Sequence, residues 1–285
     1  MNKKKRKIDS NKPKVKLPSG KNYIFIKKII EKHHLHTICE SGNCPNMREC
    51  WEAGTATFMI LGDICTRSCK FCSVKTGKPK AIDISEPENI AKSVKLMKLK
   101  HCVLTSVDRD DLKDGGSIIW AETIKEIRKI SPFTTIETLI PDFQGNIENL
   151  QKIIEVKPEV ISHNLETVKS LTKQIRIQAK YEQSLFVLKT IKDSGIVTKS
   201  GIMVGLGEKE KEIYEAMDDL IAIGCDILTI GQYLQPTKQQ IPVQKYISQK
   251  EFDNYKKIGL KKGFKIVESS SLVRSSYHAD QHLLK

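Results

Sequence analysis

Apolar and polar positions change period along this chain. YIFIKKIIEKH (residues 23–33) has its apolar residues at helical spacing and predicts a short amphipathic helix. From about residue 55 a regular alternation begins. TATFMILG is apolar and β-branched, as a buried strand requires, and SEPENIAKSVKLMKL opens like a capping box and continues at helical spacing. CVLTSVD, TTIETLI, VISHNL, VTKSGIMVGL and DILTIGQYL are the next strands. SIIWAETIKEIRKI, NIENLQKIIEV, YEQSLFVLKTIKDSG and EKEIYEAMDDLIAIG are the helices between them. A longer connection, QPTKQQIPVQKYI, leads to a last helix, SQKEFDNYKKIGLKKG, and a last strand, FKIVESSS. Strand and helix alternate six times, which calls for a parallel sheet.

An open doubly wound sheet and a barrel both satisfy that alternation. Polar stretches gather at the C-terminal ends of many strands: CTRSC, SVDRDD, ETLIPD, SHNLET and GQYLQP. An open sheet would concentrate them at one switch point, whereas a barrel presents them around one rim. The expected fold is therefore α/β, a partial six-unit (β/α) TIM-like barrel over residues 55–271. An N-terminal arm and cysteine motif (1–54) precede it, and a C-terminal segment (272–285) follows. GLG at 205–207 lacks the full dinucleotide spacing and reads as a tight turn.

Charge changes the picture only slightly. The formal net charge is +14, carried by 41 lysines and only seven arginines. The lysines are spread over nearly every segment, as a general bias rather than a nucleic-acid stripe. KKKRK near the start reads as a solvated end, and a basic surface favours an acidic protein partner. Five arginines, Arg48, Arg67, Arg109, Arg176 and Arg274, sit in motif-like stretches, where their planar fork suits carboxylate or cluster contacts. No apolar run reaches the roughly 18 residues of a membrane span, and no secretory leader is visible, so the expected location is the cytoplasm. Eight cysteines in a chain that is not exported are metal ligands or buried thiols rather than disulfides.

The cysteines carry the candidate chemistry. CTRSCKFC places Cys65, Cys69 and Cys72 in a C-x3-C-x2-C run, and CESGNCPNMREC holds Cys39, Cys44 and Cys50. Structural zinc takes four ligands, commonly as two close pairs, and neither spacing supplies them unless His33, His34 or His36 joins Cys39. Three thiolates on an iron–sulfur cluster would leave one iron open. Cys102 and Cys225 begin strands and so lie at the opposite rim. Roughly 20 Å of strand, at about 3.3 Å per residue, keeps them from completing either set.

C-x3-C-x2-C with Phe71 before its last cysteine resembles the signature of the radical S-adenosylmethionine (SAM) superfamily. Within it, both cysteine groups together with VLTSVDRDDLKDGG, ETLIPDF, SHNLETV, TIGQYLQP and VRSSYHAD resemble the lipoyl synthase family from about residue 20 nearly to the C-terminus. Two departures are Ser41-Gly42, where an acidic–alanine pair is usual, and the lack of a common tryptophan in the N-terminal arm.

The resemblance implies two [4Fe–4S] clusters and SAM as cofactors. The first cluster, on Cys65, Cys69 and Cys72, would be chelated by SAM and split it to a 5′-deoxyadenosyl radical. The second would be held by Cys39, Cys44, Cys50 and a serine of RSSYHA, Ser275 or Ser276, with Ser276 preferred. It would be consumed as the sulfur source for C6 and C8 of a protein-bound octanoyl chain. Asp114, Gly115, Gly116, Glu137 and Asn164 would contact SAM. Implied partners are octanoylated lipoyl carrier domains (E2 subunits of 2-oxoacid dehydrogenases, the glycine cleavage H protein) and an electron donor such as ferredoxin or flavodoxin, with neither nucleic acid nor membrane. The alternatives are a radical SAM methylthiotransferase acting on RNA and a zinc-stabilised nucleic-acid-binding module.

Overall fold

A computed structural model describes residues 11–13, 20–52 and 55–282, so the basic stretch at residues 3–7 lies outside the described residues. The chain opens with helix α1 (Lys21–Lys32), a short strand β1 (His36–Thr37), and helices α2 (Ile38–Ser41) and α3 (Met47–Glu52). Tyr23 of α1 stacks on Trp51 of α3 with ring centroids 5.0 Å apart. Trp51 is 0 % exposed, so this extension has its own apolar anchor.

The repeating part begins with β2 (Thr57–Ile60), every residue of which is buried. Two short strands, β3 (Ile64–Cys65) and β4 (Lys75–Thr76), pair in parallel and pinch the intervening loop at its base. Then follow α4 (Glu86–Leu96), β5 (His101–Ser106), α5 (Ser117–Ile130), β6 (Thr135–Leu139), α6 (Ile147–Glu155) and β7 (Val160–Ser162). Two helices rather than one come next, α7 (Lys169–Ile175) and α8 (Tyr181–Asp193). The chain continues through β8 (Val197–Val204), α9 (Glu210–Ala222), β9 (Ile227–Gln232), α10 (Gln249–Lys262) and β10 (Ile266–Ser270).

One eight-stranded sheet has the order β1-β2-β5-β6-β7-β8-β9-β10. All neighbours in it are parallel except β1, which lies antiparallel on β2. Six strand–helix units and a seventh parallel strand thus form the expected partial barrel. It stays open, because β10 and β2 do not pair and β1 takes the outer edge of β2. Local signals agree with this arrangement at α6 and α10, whereas Ser85 makes no side-chain cap on α4 and the expected capping box is not formed there. Asn146 caps α6 by accepting from Asn149 N–H, Ser248 and Glu251 form a capping box on α10, and Gly263 ends that helix in the left-handed region. Cys102, second in β5, and Cys225, two residues before β9, are buried at the N-terminal ends of these strands, away from the rim. Among the described residues no helix is long and apolar enough to cross a membrane.

Candidate functional site

Cys65 ends β3, Cys69 and Cys72 lie on the loop that leads to β4, and Arg67 is the side chain that ties this loop to the rim. Arg67, 6 % exposed, donates from Nε and Nη2 to both carboxylate oxygens of Asp110 (2.7 and 2.9 Å). Nη2 also reaches Asp142 Oδ1 at 2.6 Å, and Nη1 lies 3.3 Å from Asp108 Oδ1. The guanidinium therefore ties the loop to the ends of β5 and β6, a task for which its planar fork is suited and an ammonium is not. Burial would raise the Asp142 carboxyl, but bonding to Arg67 holds it well below the usual range. At Asp108 burial prevails over the Arg67 charge, and the group is raised to about 6. Backbone N–H groups of Arg67 and Asp108 point at Cys65 Sγ (3.4 and 3.3 Å), and that of Val74 at Cys72 Sγ (3.4 Å). Such donors favour the thiolate form that binds metal.

Cys39, Cys44 and Cys50 come together on the N-terminal extension, where turns from Cys44 N–H to Cys39 O (3.0 Å) and from Cys50 N–H to Asn46 O (2.9 Å) fold the motif on itself. Burial pushes Cys39 and Cys50 up to about 12, with the charge of Cys44 adding to both. It likewise raises Cys69 to about 12 and Cys65 to about 11, and lifts Cys44 and Cys72. A metal binding either group would have to displace protons, so its loading would be favoured by rising pH. All six are free thiols.

The donor set, two groups of three thiols, is the kind that iron–sulfur clusters use. Among the described residues no three His, Cys, Asp or Glu side chains converge on one ion. A cubane instead takes thiolates spread around its corners, and two groups of three thiols suit two such clusters. Thr57 holds Ser276 near the second group: its hydroxyl donates to Ser276 Oγ at 3.0 Å, and its backbone partly offsets the effect of burial on the Cys39 thiol.

Both groups open onto one cavity of about 650 Å³, lined by Cys65, Cys69 and Cys72 on one side and by Cys44, Arg274 and Ser275 on another. That volume suits a ligand of cofactor size. Asn164 lines it as expected. Its Nδ2 donates to Glu166 Oε1 at 3.0 Å, while its buried Oδ1 has no hydrogen-bond partner among the described residues. An orphaned acceptor in a cavity is a natural place for a donor on a bound ligand. Gly201 makes room for it, because a Cβ there would lie 2.9 Å from Asn164 Oδ1 and 2.6 Å from Thr229 Oγ1.

The four other expected SAM contacts do not line this cavity. Asp114, Gly115 and Gly116 are not among the cavity's lining residues. Asp114 Oδ1 and Oδ2 instead accept from Gly116 and Ile118 N–H (both 3.1 Å) and start α5. Glu137 lies two residues inside the end of β6, 0 % exposed, and pairs with Lys199 Nζ at 2.8 Å rather than reaching the rim. Glu166 and Arg176 line the cavity without having been singled out as SAM contacts. The scarcity of arginine was the one sequence signal for Arg176, and Glu166 had only its place in the rim stretch SHNLETV.

His163, also on the cavity wall, is held neutral. Arg176 Nη1 donates to Ser184 Oγ (3.2 Å), that hydroxyl meets His163 Nε2 (2.9 Å), and Nδ1 meets Ile140 O (2.9 Å). Burial, with the Arg176 charge behind it, lowers His163 to about 4. The unfolded chain takes up this proton near 6.5, the folded one not until about 4, so acidification between those values favours unfolding. The stability from this residue, complete above about 6.5, is expected to fall by about 1.4 kcal/mol per pH unit through that window. Urea unfolding at pH 7 and pH 5 checks this, and the drop should shrink by a matching amount in His163→Gln.

The family described as the Radical SAM superfamily matches residues 59–220. Among solved structures, methylornithine synthase superposes with a TM-score of 0.56 at 13 % identity, covering 94 % of this chain and 85 % of that one. Streptococcus suis SuiB bound to S-adenosylmethionine superposes with a TM-score of 0.58 at 14 % identity, covering 87 % and 62 %. These two likenesses concern the fold. The chain is a radical SAM enzyme, with the partial barrel and rim cysteine loop of that class. Lipoyl synthase from Nematostella vectensis (mitochondrial) is 64 % identical over 271 residues, covering 95 % of this chain and 93 % of the relative. The Christiangramia forsetii lipoyl synthase is 62 % identical over 271 residues, covering 95 % and 92 %. The chain belongs to the lipoyl synthase family. Its cofactors are SAM and [4Fe–4S] clusters, and neither a zinc module nor an RNA methylthiotransferase matches this relationship.

Proposed function

We propose that this chain inserts sulfur at C6 and C8 of an octanoyl group carried as a lysine amide on a lipoyl carrier domain. We take the carriers to be E2 subunits of 2-oxoacid dehydrogenases and the glycine cleavage H protein. A reduced ferredoxin or flavodoxin in the cytoplasm would provide the electrons. Cys65, Cys69 and Cys72 would hold the first cluster, and Cys39, Cys44, Cys50 and Ser276 the second. When bound, the first cluster with SAM supplies hydrogen-abstracting radical chemistry and the second supplies sulfur.

The remaining work falls to this chain's own residues. Arg67 fixes the cysteine loop through Asp108, Asp110 and Asp142, which keeps Cys65, Cys69 and Cys72 on the cavity wall where they would hold the cluster. Asn164, steadied by Glu166, offers an unused buried acceptor to polar groups of a ligand. Phe71, Met203 and Tyr233 pack together on an apolar part of the wall, which accommodates an alkyl chain and keeps water from a reactive carbon centre. A hydroxyl such as Ser276 is a harder, more readily displaced iron ligand than a thiolate, as a cluster that gives up its atoms requires.

The observation that carries this reading is the shared cavity, with Cys44 on the same space as the other three thiols. Its test is anaerobic reconstitution, then incubation with SAM, a reductant and an octanoylated carrier peptide. The expected product carries two added sulfurs by mass. Deoxyadenosine formation without any sulfur in the peptide would overturn the proposal.

A further inference from the structure

The C-terminal segment crosses the open side of the barrel. It leaves β10 at Ser270 and passes so near Gly231 of β9 that a Cβ there would lie 2.1 Å from Val273 O. Asn46 Nδ2 then donates to Leu272 O (2.6 Å) and Tyr277 Oη to Glu49 Oε1 (3.0 Å), which tie the segment to the cysteine extension. Ser276 Oγ accepts from Thr57 at the start of β2 (3.0 Å).

Six residues further on, His282 enters the barrel interior, 1 % exposed, and the 3-10 turn that carries it (Ala279–His282) packs on β5. Its Nδ1 lies 3.1 Å from Lys199 Nζ, and the same ammonium donates to Glu137 Oε1 and Oε2 (2.8 and 3.1 Å). Lys199 and Glu137 are both 0 % exposed. An ammonium has three N–H bonds and accepts none, so Glu137 and His282 together use every donor it has. Nδ1 must be the unprotonated nitrogen, and burial with the adjacent Lys199 charge keeps His282 neutral down to about 3. Without the imidazole, a buried charge would keep one N–H unpaired where water cannot reach it. The segment is thus anchored in the barrel core through Lys199.

We propose that His282 is a positioning residue for the second iron site: bound to Lys199, it holds residues 272–282 across the gap between β10 and β2 and keeps Ser276 against Thr57. The inference rests on the reading of Ser276 as an iron ligand. In the full chain with Cys65, Cys69 and Cys72 all changed to Ala, only the second group can hold a cluster. There His282→Ala should speed iron loss to a ferrous chelator at least about tenfold, the factor expected for an unreplaced bond to a charged group. His282→Asn, whose Oδ1 stands where Nδ1 stood, should restore slow release. In the reciprocal background, with Cys39, Cys44 and Cys50 changed to Ala, the rate should not change.

Unchanged release in His282→Ala, or equal acceleration in both backgrounds, would overturn the proposal. Hydrogen exchange of the iron-free full chain gives an independent reading. Residues 272–282 should exchange faster in His282→Ala than in the parent, and the remaining strands should not. If the second group holds no iron even with His282 intact, the Ser276 reading fails. Exchange alone then decides the anchor, and unchanged protection of residues 272–282 sinks it.

Discussion

Changing Cys69 to alanine will abolish SAM cleavage, with 5′-deoxyadenosine formation falling more than about a thousandfold, to the uncatalysed background. The effect is chemical rather than structural. The loop around Cys69 is held by Arg67 and by backbone bonds, among them Lys70 N–H to Ile175 O at 2.9 Å and Cys72 N–H to Cys69 O at 3.1 Å. None of these uses the sulfur. Loss of one thiol leaves two ligands, too few to hold a cluster with a single open iron, so anaerobically loaded protein should drop from about eight irons per chain to about four. Iron content and chromatographic deoxyadenosine are the readouts. Unaltered SAM cleavage would remove Cys65, Cys69 and Cys72 from the role assigned to them.

Cys44→Ala should separate the two halves of the reaction. Deoxyadenosine should still form at a rate within about threefold of the parent, because Cys44 belongs to the other group and makes no bond to the β3–β4 loop. Sulfur insertion should cease. Cys44 is the one thiol of its group on the cavity wall, and its backbone bonds to Cys39 O (3.0 Å) and from Met47 N–H (3.3 Å) survive the change. The fold of the motif is thus expected to persist without the ligand. Product mass checks the outcome: any peptide carrying added sulfur would show that this group is not the donor.

These two results would bear on residues that were legible at once, and the contrast with the less legible ones is physical. A C-x3-C-x2-C run confines three thiols to one short loop, so their proximity follows from chain geometry alone. Strand and helix periods were equally local, and they led to the partial barrel. Where reach was long, sequence reading was weaker. Glu137 resembled a rim acid, but two residues of strand and the facing Lys199 turn it into the barrel interior. Asp114 resembled a ligand contact, yet its carboxylate is engaged by the N–H groups that begin α5. The first of the two helices after β7 was missed, because KSLTKQI shows little apolar periodicity and is shaped by packing on α9.

By itself the sequence determined the chemical class, since ligand spacing and hydrophobic period act over a few residues and survive any uncertainty about tertiary arrangement. Only the tertiary structure decided which distant groups meet. Cys44 shares a cavity with Cys72, Ser276 lies on Thr57, and His282 satisfies Lys199 across the barrel. Those meetings depend on how far the sheet curls before its edges stop pairing, and on which buried charge needs an acceptor. Both are settled by the sum of contacts over the whole chain, not by any stretch of it.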